Sequence, residues 1–593
     1  MQEGWINEED LRMNTFYTSE RNAQMLIGLM KAHGIRKVVV SPGTTNMCLV
    51  ASLQQDNFFK LYSSVDERSA AYIACGLATE SGEPVALSCT GATASRNYIP
   101  GLTEAYYRKI PVLAITAAQH VGRIGQNIPQ VIDRTSPLND IVKMSAQIPE
   151  IHDAEDEWAY RVLLNKALLE LRHHGGGPVH INLTTTCSQD FSIRNLPPIS
   201  KIDRICPEDK LPDLKRGRIG IFVGAHKKWN LELTRAVEKF CEAYDAVVIC
   251  DHTSNYHGKY RILANLIADQ KLYRASCLSI DVMIHIGDIS GAYMSVKPAQ
   301  VWRVNPDGEV RDTFRKLRYV FEMDELHFFM RYVERAKEHR GNADFYNEWK
   351  GERERLESKI PELPFSNIWI AKQTASLLPV NSALHLGILN SLRAWNFFEI
   401  PESVSAYSNT GGFGIDGGIS TLIGASLSDP QKLFFGVAGD LAFFYDMNVI
   451  GNRHVRNNVR LMLINNGRGT EFRNYSHPAA RFGEDADAYM AAAGHFGCQS
   501  SRLVKHYAED LGFEYLSASN KEEYLQAVGR FTVSELTDRP MLFEIFTDSK
   551  EESDALKLMN TLEASVQGSA KQKVKEILGD KGVQILKGIM KGR

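Results

Sequence analysis

The sequence of 593 residues lacks the marks of several protein classes. Its nine cysteines include no pair spaced as CxxC, which argues against a zinc ribbon or a disulfide framework and favours a reducing cytoplasm. It has no run of about 18 apolar residues, so we expect no membrane-spanning helix. Its formal net charge is only −3 and its body has no long basic run, so nucleic acid is not an expected partner. The polar, acidic first residues predict no secretory signal, and we expect a cytoplasmic protein.

Short apolar runs alternate with helical patterns along most of the chain, which is typical of parallel sheets with helices on both faces. The pattern occurs three times, and segments 195–216 and 334–364, rich in charge or proline, separate the series. We predict an α/β protein of three doubly wound domains; the alternative is two domains with one large insertion. The predicted boundaries are 14–195, 196–360 and 361–560.

The predicted strands fall into the same three series, four in each. They are Lys37–Ser41, Val85–Ser88, Val112–Thr116, Val179–Leu183, Ile219–Val223, Ala246–Cys250, Val282–Gly287, Val301–Val304, His385–Gly387, Leu433–Gly436, Val459–Ile464 and Met541–Thr547.

The C-terminal segment, 561–593, has a different composition. From 568 onward it carries seven basic and two acidic residues, with apolar residues at roughly helical spacing. A basic amphipathic helix of this kind suits an anionic membrane surface. The favoured interpretation is an ordinary terminal helix docked on its own protein.

The most informative segment is GDLAFFYDMNVIGNRHVRNNVRLMLINNGRG, from Gly439 to Gly469. Asp440 directly follows one apolar strand, and Asn466 follows the next strand 26 positions later. In a parallel unit both loops emerge at the carboxyl edge of the sheet, where ligands bind. Carboxylate and amide oxygens suit magnesium or calcium, which neutralises a diphosphate beside a helix N-terminus. The alternative, two unrelated loops, is disfavoured by the spacing.

This spacing resembles the signature of the thiamine-diphosphate-dependent family, which includes decarboxylases and acetolactate synthases. The resemblance implies a pyrimidine-binding, a middle and a diphosphate-binding domain, in that order, with thiamine diphosphate and Mg²⁺ as cofactors. It assigns the metal to Asp440, Asn466 and the backbone carbonyl of Arg468. The other cofactor contacts that it implies are Gly439, Leu441, Gly414, Thr90 and Ile415. In the related enzymes the residue at Ile415 is a wedge under the folded cofactor; the alternative is a plain core isoleucine.

The family also needs a glutamate that protonates the aminopyrimidine ring, so that the ring can deprotonate the thiazolium carbon. The segment VDERSAAYIACGLA offers Glu67 after a strand and at the start of a helix. Small neighbours such as Ala70 and Ala71 predict that Glu67 is buried. Taken alone, Glu67 fits equally a glutamate that stabilises a helix N-terminus.

Within the family, several segments resemble the branch that joins a succinyl semialdehyde unit from 2-oxoglutarate to isochorismate in menaquinone biosynthesis. The order of these segments along the chain is the same, and they cover both cofactor-binding domains. They are SPGTTN, DERSAAYIACGLA, GLTEAYYRKIPVLAITA, SNTGGFGIDGGISTLIGA and GDLAFFYDMN.

The resemblance implies arginines at four positions that carry Thr45, Thr410, Gln119 and Trp395 instead. Arginine binds carboxylates as a bidentate fork, and neither threonine nor tryptophan replaces that contact. A dicarboxylate acceptor such as isochorismate is therefore not expected. Gln130 does match a substrate-facing glutamine of the related enzymes.

Replacement substrate contacts are expected near the metal site and in the loop that follows it. A negatively charged substrate would suit several cations there, although each of them also fits a structural or solvent-facing role. The candidate substrate residues are Thr44, Thr45, Gln130, Ser391, Arg393, Arg473 and His477, with Asn390, Arg468 and Arg481 as further candidates.

The resemblance implies decarboxylation of a 2-oxo acid and transfer of the product to an acceptor, in a homodimer or homotetramer. One alternative is a simple decarboxylase that releases an aldehyde. Acetolactate synthase activity is another, although the middle domain has no flavin-binding signature. A non-catalytic cofactor-binding scaffold is a third, against which the joint presence of Glu67, Asp440 and Asn466 argues.

Overall fold

The structure is a computed structural model that describes residues 16–291, 294–336, 341–495 and 499–566. The predicted basic helix at 568–593 lies outside these residues. Within them, none of the helices is both long and apolar enough to cross a bilayer. The described chain forms two compact units, one up to Cys206 with Gly308–Val320 and one from Pro207–Asp307 with the residues from Phe321 onward.

The first unit contains a six-stranded parallel sheet in the order β2-β1-β3-β4-β6-β5. Apolar side chains pack on both faces of this sheet and form two separate cores. Its strands are β1 Lys37–Val40, β2 Lys60–Ser63, β3 Val85–Cys89, β4 Val112–Ala118, β5 Met144–Ile148 and β6 Val179–Thr184. Its helices are α1 Arg21–Ala32, α2 Met47–Gln54, α3 Glu67–Ser81, α4 Thr93–Asn97, α5 Ile99–Tyr107 and α6 Ala154–Glu170. The short strand β7 Asp203–Ile205 follows.

The second unit begins with the middle sheet, whose strands pair in parallel in the order β10-β9-β8-β11-β12. These strands are β8 Ile219–Val223, β9 Ala246–Cys250, β10 Arg261–Leu263, β11 Ser279–Ile286 and β12 Lys297–Val304. The next strand, β13 Leu317–Phe321, belongs to the first unit in all but its last residue. The helices of this part are α7 Leu231–Tyr244, α8 Asn265–Ala268, α9 Glu325–Arg335 and α10 Asp344–Glu357.

The last sheet, also in the second unit, has six parallel strands in the order β15-β14-β16-β17-β19-β18. They are β14 Ala383–Leu386, β15 Ser405–Tyr407, β16 Phe434–Gly439, β17 Val459–Asn465, β18 Glu514–Ala518 and β19 Met541–Phe546. The helices are α11 Asn367–Thr374, α12 Asn390–Trp395, α13 Gly418–Ser426, α14 Asp440–Asp446, α15 Asp485–Tyr489, α16 Leu503–Asp510, α17 Lys521–Phe531 and α18 Ser549–Asn560.

Three parallel α/β sheets confirm the predicted fold class. The first and last sheets have the same strand order, as expected of two related doubly wound α/β folds. All twelve predicted strands are present. The boundaries 14–195, 196–360 and 361–560 stay predictions, and Gly308–Val320, which they assign to the middle domain, packs with the first unit.

The sequence did not predict β2, β5, β15 and β18, which occupy both edges of the first and last sheets. Edge strands are covered on fewer sides, so they do not need a continuous apolar run. In β2 no residue is buried, and β18 buries only its last residue. The central strands β4 and β17 are buried along their whole length, and these are the ones that periodicity finds.

Candidate functional site

A cavity opens at the carboxyl edge of the last sheet, between β14 and β16. Residues 385–391, at and after β14, and residues 436–442, at and after β16, form most of its wall. The strand order changes direction at this point, with β15 on one side and β17 on the other. Doubly wound sheets bind ligands at such switch points, so the cavity stands where a cofactor is expected.

Asp440 begins α14 at the wall of this cavity. Its side chain is 5% exposed, and its Oδ1 accepts a hydrogen bond of 2.8 Å from the backbone N–H of Leu441. Burial raises the pKa of Asp440 to about 6, although backbone N–H groups of Leu441, Gly467 and Arg468 favour the ionised form. The carboxylate therefore meets the loop that follows β17, as the spacing of the two motifs predicted.

Asn466 and Arg468 stand in that loop and also line the cavity. Thr470 positions the amide of Asn466, because its hydroxyl donates a hydrogen bond of 2.7 Å to Asn466 Oδ1. The two predicted metal-binding segments are thus neighbours at one edge of the cavity. Whether Asp440, Asn466 and the Arg468 carbonyl bind a metal stays a prediction.

The donor set fits a divalent cation and a diphosphate. No lysine or arginine of the described chain forms an ion pair with Asp440, so none of the described residues supplies a counterion for its buried charge. A bound cation would supply that charge, since buried carboxylates are otherwise costly. An added Cβ at Gly439 would have no heavy atom within 4 Å, so the backbone there leaves open space for a phosphate group.

The other predicted contacts of the second unit also line this cavity. Leu441, Gly414 and Ile415 all belong to its wall, and Ile415 is half-buried. Ile415 is therefore not a plain core isoleucine. Its function as a wedge under the cofactor stays a prediction.

Glu67 is the first residue of α3 in the first unit, directly after the N-cap Asp66. Asn97, the last residue of α4, donates a hydrogen bond of 3.0 Å from Nδ2 to Glu67 Oε2. Glu67 is half-buried, so the small residues Ala70 and Ala71 do not enclose it as expected. Both alanines pack inward against the core, whereas the start of the helix stands at the open carboxyl edge of the sheet.

Thr45 and Thr90 meet at the matching switch point of the first sheet, between β1 and β3, where their hydroxyl groups form a hydrogen bond. An added Cβ at Gly91 would lie 3.3 Å from the carbonyl oxygen of Gln130, so the Gln130 loop passes over the end of β3. Gln130 has a φ of +62°, a left-handed conformation that is uncommon outside glycine and recurs at functional sites. Thr44 is exposed beside Thr45.

Arg393, a predicted substrate cation, is bound by an acid of its own unit. Its guanidinium donates hydrogen bonds of 2.8 and 3.1 Å to the two carboxylate oxygens of Glu471. Asn390 and Asn474 complete the network, because Asn390 Oδ1 accepts from both Arg393 and Asn474. Ser391 lies at the cavity wall and is 3% exposed.

The remaining predicted cations lie in the loop after β17. Arg468 donates a hydrogen bond of 2.7 Å to Asp487, and Arg473 lies 3.6 Å from the same carboxylate. His477 accepts a hydrogen bond of 3.1 Å at Nδ1 from the backbone N–H of Ala479. Arg481 is exposed and stacks over a neighbouring phenylalanine ring. These arginines are therefore largely neutralised or held on the surface of their loop.

Sequence reasoning missed Glu552, a buried carboxyl group that lines the same cavity. Both of its oxygens accept from the backbone N–H of Asn367 at 3.0 Å, and Oε1 also accepts from Thr547 at 2.8 Å. Burial raises the pKa of Glu552 to about 7. Its polar surroundings in the sequence, DSKEES, contain no signal for burial.

We expect the Glu552→Gln variant to gain stability relative to the wild type as the pH rises. The folded protein keeps Glu552 protonated up to about pH 7, whereas the unfolded chain ionises near its ordinary value of 4.5. The wild type therefore loses on the order of 3 kcal/mol between these values, and glutamine does not ionise. Melting temperatures measured at about pH 5 and about pH 8 test this. Asp554→Asn, exposed on the same helix, is the control. A difference between Glu552→Gln and the wild type that stays the same at both pH values would contradict the expectation.

Comparison with known proteins places this geometry in a family. The family model "Thiamine pyrophosphate enzyme, N-terminal TPP binding domain" matches residues 21–136, which contain Glu67 and Thr90. A 2-succinyl-5-enolpyruvyl-6-hydroxy-3-cyclohexene-1-carboxylate synthase of Bacteroides fragilis is 32% identical over 570 residues, covering 91% of this chain and 98% of that protein. The synthase of the same name from Bacteroides thetaiotaomicron is 32% identical over 567 residues, with the same coverage. The Desulfotalea psychrophila synthase is 29% identical, over 87% of this chain and 96% of its own. The chain belongs to the thiamine-diphosphate-dependent enzyme family that includes these synthases.

Proposed function

We propose that this enzyme removes carbon dioxide from a 2-oxo acid and transfers the remaining carbon unit to an acceptor other than isochorismate. The observation that carries most of this proposal is the meeting of Asp440 with the loop of Asn466 and Arg468 at the cavity of the last sheet. Likeness to synthases that cover almost the whole chain supports ligation over simple decarboxylation.

Asp440, Asn466 and the carbonyl of Arg468 would hold Mg²⁺, and with it the diphosphate of thiamine diphosphate. Bound there, the cofactor would supply the electron sink that allows a 2-oxo acid to lose carbon dioxide. Ile415, which lines the cavity, would contact the cofactor, and Gly439 would let the backbone approach the phosphates.

Glu67 would hold a proton against the aminopyrimidine ring. Asn97 fixes one carboxylate oxygen, Oε2, by its hydrogen bond of 3.0 Å. The described residues form no hydrogen bond to Oε1, which leaves that oxygen for the ring. A positioned carboxyl group of this kind contributes by general acid–base catalysis.

The acceptor is proposed to be neutral near Arg393, because Glu471 already neutralises the guanidinium. The cations that replace the missing arginines are paired in the same way, since Asp487 binds Arg468 and is close to Arg473. Of these three arginines only Arg468 lines the cavity itself, together with Glu471. A hydroxylated aldehyde suits such a site better than a dicarboxylate, which needs unpaired guanidinium groups. Thr45, Gln130 and Ser391 are then the proposed polar contacts.

Carbon dioxide release from pyruvate, 2-oxoglutarate and phosphonopyruvate tests the proposal, with thiamine diphosphate and Mg²⁺ and with or without an aldehyde acceptor. We expect one acid to release carbon dioxide faster when the acceptor is present. A rate of carbon dioxide release that is the same with and without every acceptor, with an aldehyde as product, would instead identify a decarboxylase. Tight cofactor binding without carbon dioxide release from any of the acids would favour the alternative of a non-catalytic, cofactor-binding scaffold.

The Glu471→Gln variant is expected to accept anionic substrates better, because it leaves the Arg393 guanidinium without its carboxylate. We expect turnover of glyoxylate as acceptor to rise about tenfold relative to propanal, the order of magnitude of one charge-assisted hydrogen bond. Competition between the two acceptors measures the ratio. Glu484→Gln, exposed in the same loop, is the control. An equal change for both acceptors would show that Glu471 does not tune the charge of the site.

We also propose a homodimer or homotetramer. Helix α3, which begins at Glu67, exposes Tyr72 and Ile73 by 48% and 42%, and Tyr107 at the end of α5 is 69% exposed. Apolar side chains grouped on neighbouring helices are typical of a subunit interface. Light scattering from the purified protein measures the assembly, and a monomer at assay concentration would contradict the proposal.

A further inference from the structure

The first unit contains a second cavity, with a volume of about 330 Å³, between α5, β4 and the segment 133–142. Most of its lining is apolar, with Leu102, Ala114 and Ile141 among the wall residues. The polar side chains at its wall include Arg134, Arg96 and His180. The cofactor cavity of the second unit shares none of these residues.

Arg134 has a charge that its surroundings do not balance. Its Nη2 donates a hydrogen bond of 3.1 Å to the carbonyl oxygen of Ala117, but Nε and Nη1 are buried and have no hydrogen-bond partner in the part of the chain that the structure describes. Among the described residues no carboxylate forms an ion pair with it. Burial lowers the pKa of Arg134, and the nearby Arg96 acts in the same direction. Buried guanidinium groups are normally paired, so a bound anion would stabilise this one.

The other polar groups of the cavity do not supply that anion. His180 is neutral, because burial lowers its pKa to about 3, and its ring nitrogens bond to Thr116 at 2.7 Å and Ser145 at 2.8 Å. Asp133 is exposed, and its Oδ1 accepts from the backbone N–H and the hydroxyl of Thr135 at 2.9 and 2.6 Å. The cavity is therefore apolar with a net positive charge at one wall.

We propose that this cavity is a binding site for a small monocarboxylate with an apolar body, whose carboxylate pairs with Arg134. A carboxylate accepts hydrogen bonds from guanidinium N–H groups and cancels their charge, while the apolar body covers Leu102 and Ile141. Inorganic anions lack the apolar part and fit the walls poorly. Asn97, which holds Glu67, lies between the lining residues Arg96 and Tyr98, so the site adjoins the segment that positions Glu67.

Calorimetric titration of the full chain without thiamine diphosphate tests the site independently of the proposed reaction. The probes are phenylacetate, its neutral isostere phenylacetamide, and inorganic phosphate. We expect phenylacetate alone to bind, and Arg134→Gln to weaken its binding about tenfold or more. Arg21→Gln, at an exposed ion pair of the same unit, is the control and leaves binding unchanged.

Two further measurements separate a ligand site from a structural arginine. Arg134→Lys keeps a charge and is expected to retain part of the binding, and Leu138→Ala at the exposed mouth weakens it by loss of apolar contact. Without ligand, Arg134→Gln melts at or above the wild-type temperature, because an unpaired buried charge is removed. Equal binding of phenylacetate and phenylacetamide, no binding at all, or a lower melting temperature of Arg134→Gln would overturn the proposal.

Discussion

The Asp440→Ala variant is expected to lose Mg²⁺-dependent binding of thiamine diphosphate. Asp440 is the one acidic side chain among the predicted metal ligands, so its removal takes away the negative charge that attracts the cation. We expect a loss larger than the roughly 10–100-fold that removal of an outer-shell partner causes. Calorimetric titration of the cofactor at saturating Mg²⁺ measures the change.

A stability measurement distinguishes a role of Asp440 in metal binding from a role in stabilising the fold. Its carboxyl group is 5% exposed and burial raises its pKa to about 6, so it is unfavourable in the protein without metal. The metal-free Asp440→Ala variant should therefore melt no lower than the metal-free wild type. Asp429→Asn, exposed in the same unit, is the control for both experiments. Unchanged cofactor affinity, or a much lower melting temperature, would remove Asp440 from the metal site.

The Glu67→Gln variant is expected to bind the cofactor within a few-fold of the wild type but to lose turnover. Glutamine keeps the hydrogen-bonding shape of the side chain and cannot transfer a proton to the aminopyrimidine ring. General acid–base catalysis contributes about 10²–10⁴-fold, and we expect a fall in kcat of that size. Carbon dioxide release measures turnover, and calorimetry measures cofactor binding.

The control for Glu67 lies on the same helix. Glu80 is exposed near the end of α3, and Glu80→Gln should leave both quantities unchanged. Equal turnover in Glu67→Gln and the wild type would show that another group activates the cofactor. Loss of cofactor binding in Glu67→Gln would instead indicate that the carboxylate holds the ring without moving a proton.

Local patterns predicted the central strands and the position of the metal-binding segments. β4 and β17 are buried on both faces, so their sequences are continuous apolar runs. Asp440 directly follows β16 and Asn466 directly follows β17, and parallel strands bring their carboxyl ends to one edge of the sheet. The sequence alone therefore predicts that the two residues lie close together.

Local sequence patterns did not predict the edge strands or the burial of single side chains. β2 exposes or half-exposes every residue, so its sequence KLYS carries no apolar run. Glu67 precedes small residues but stands at the open edge of its sheet, where the described chain covers it only in part. Glu552 differs in the opposite direction, because it lies in a polar segment of the sequence and yet is buried at the wall of the cavity.

The sequence by itself determined the α/β class, the three-sheet pattern and the pairing of Asp440 with Asn466 in one strand–helix–strand unit, because local backbone geometry governs all three. Only the tertiary structure decided which charges remain unpaired. Arg393 forms an ion pair with Glu471, which lies 78 positions further along the chain and balances its charge. Arg134 lines an apolar cavity and forms no ion pair with any acid of the described residues. The physical reason is that an ion pair depends on the distance between two side chains in space, which residue type and spacing along the chain do not specify.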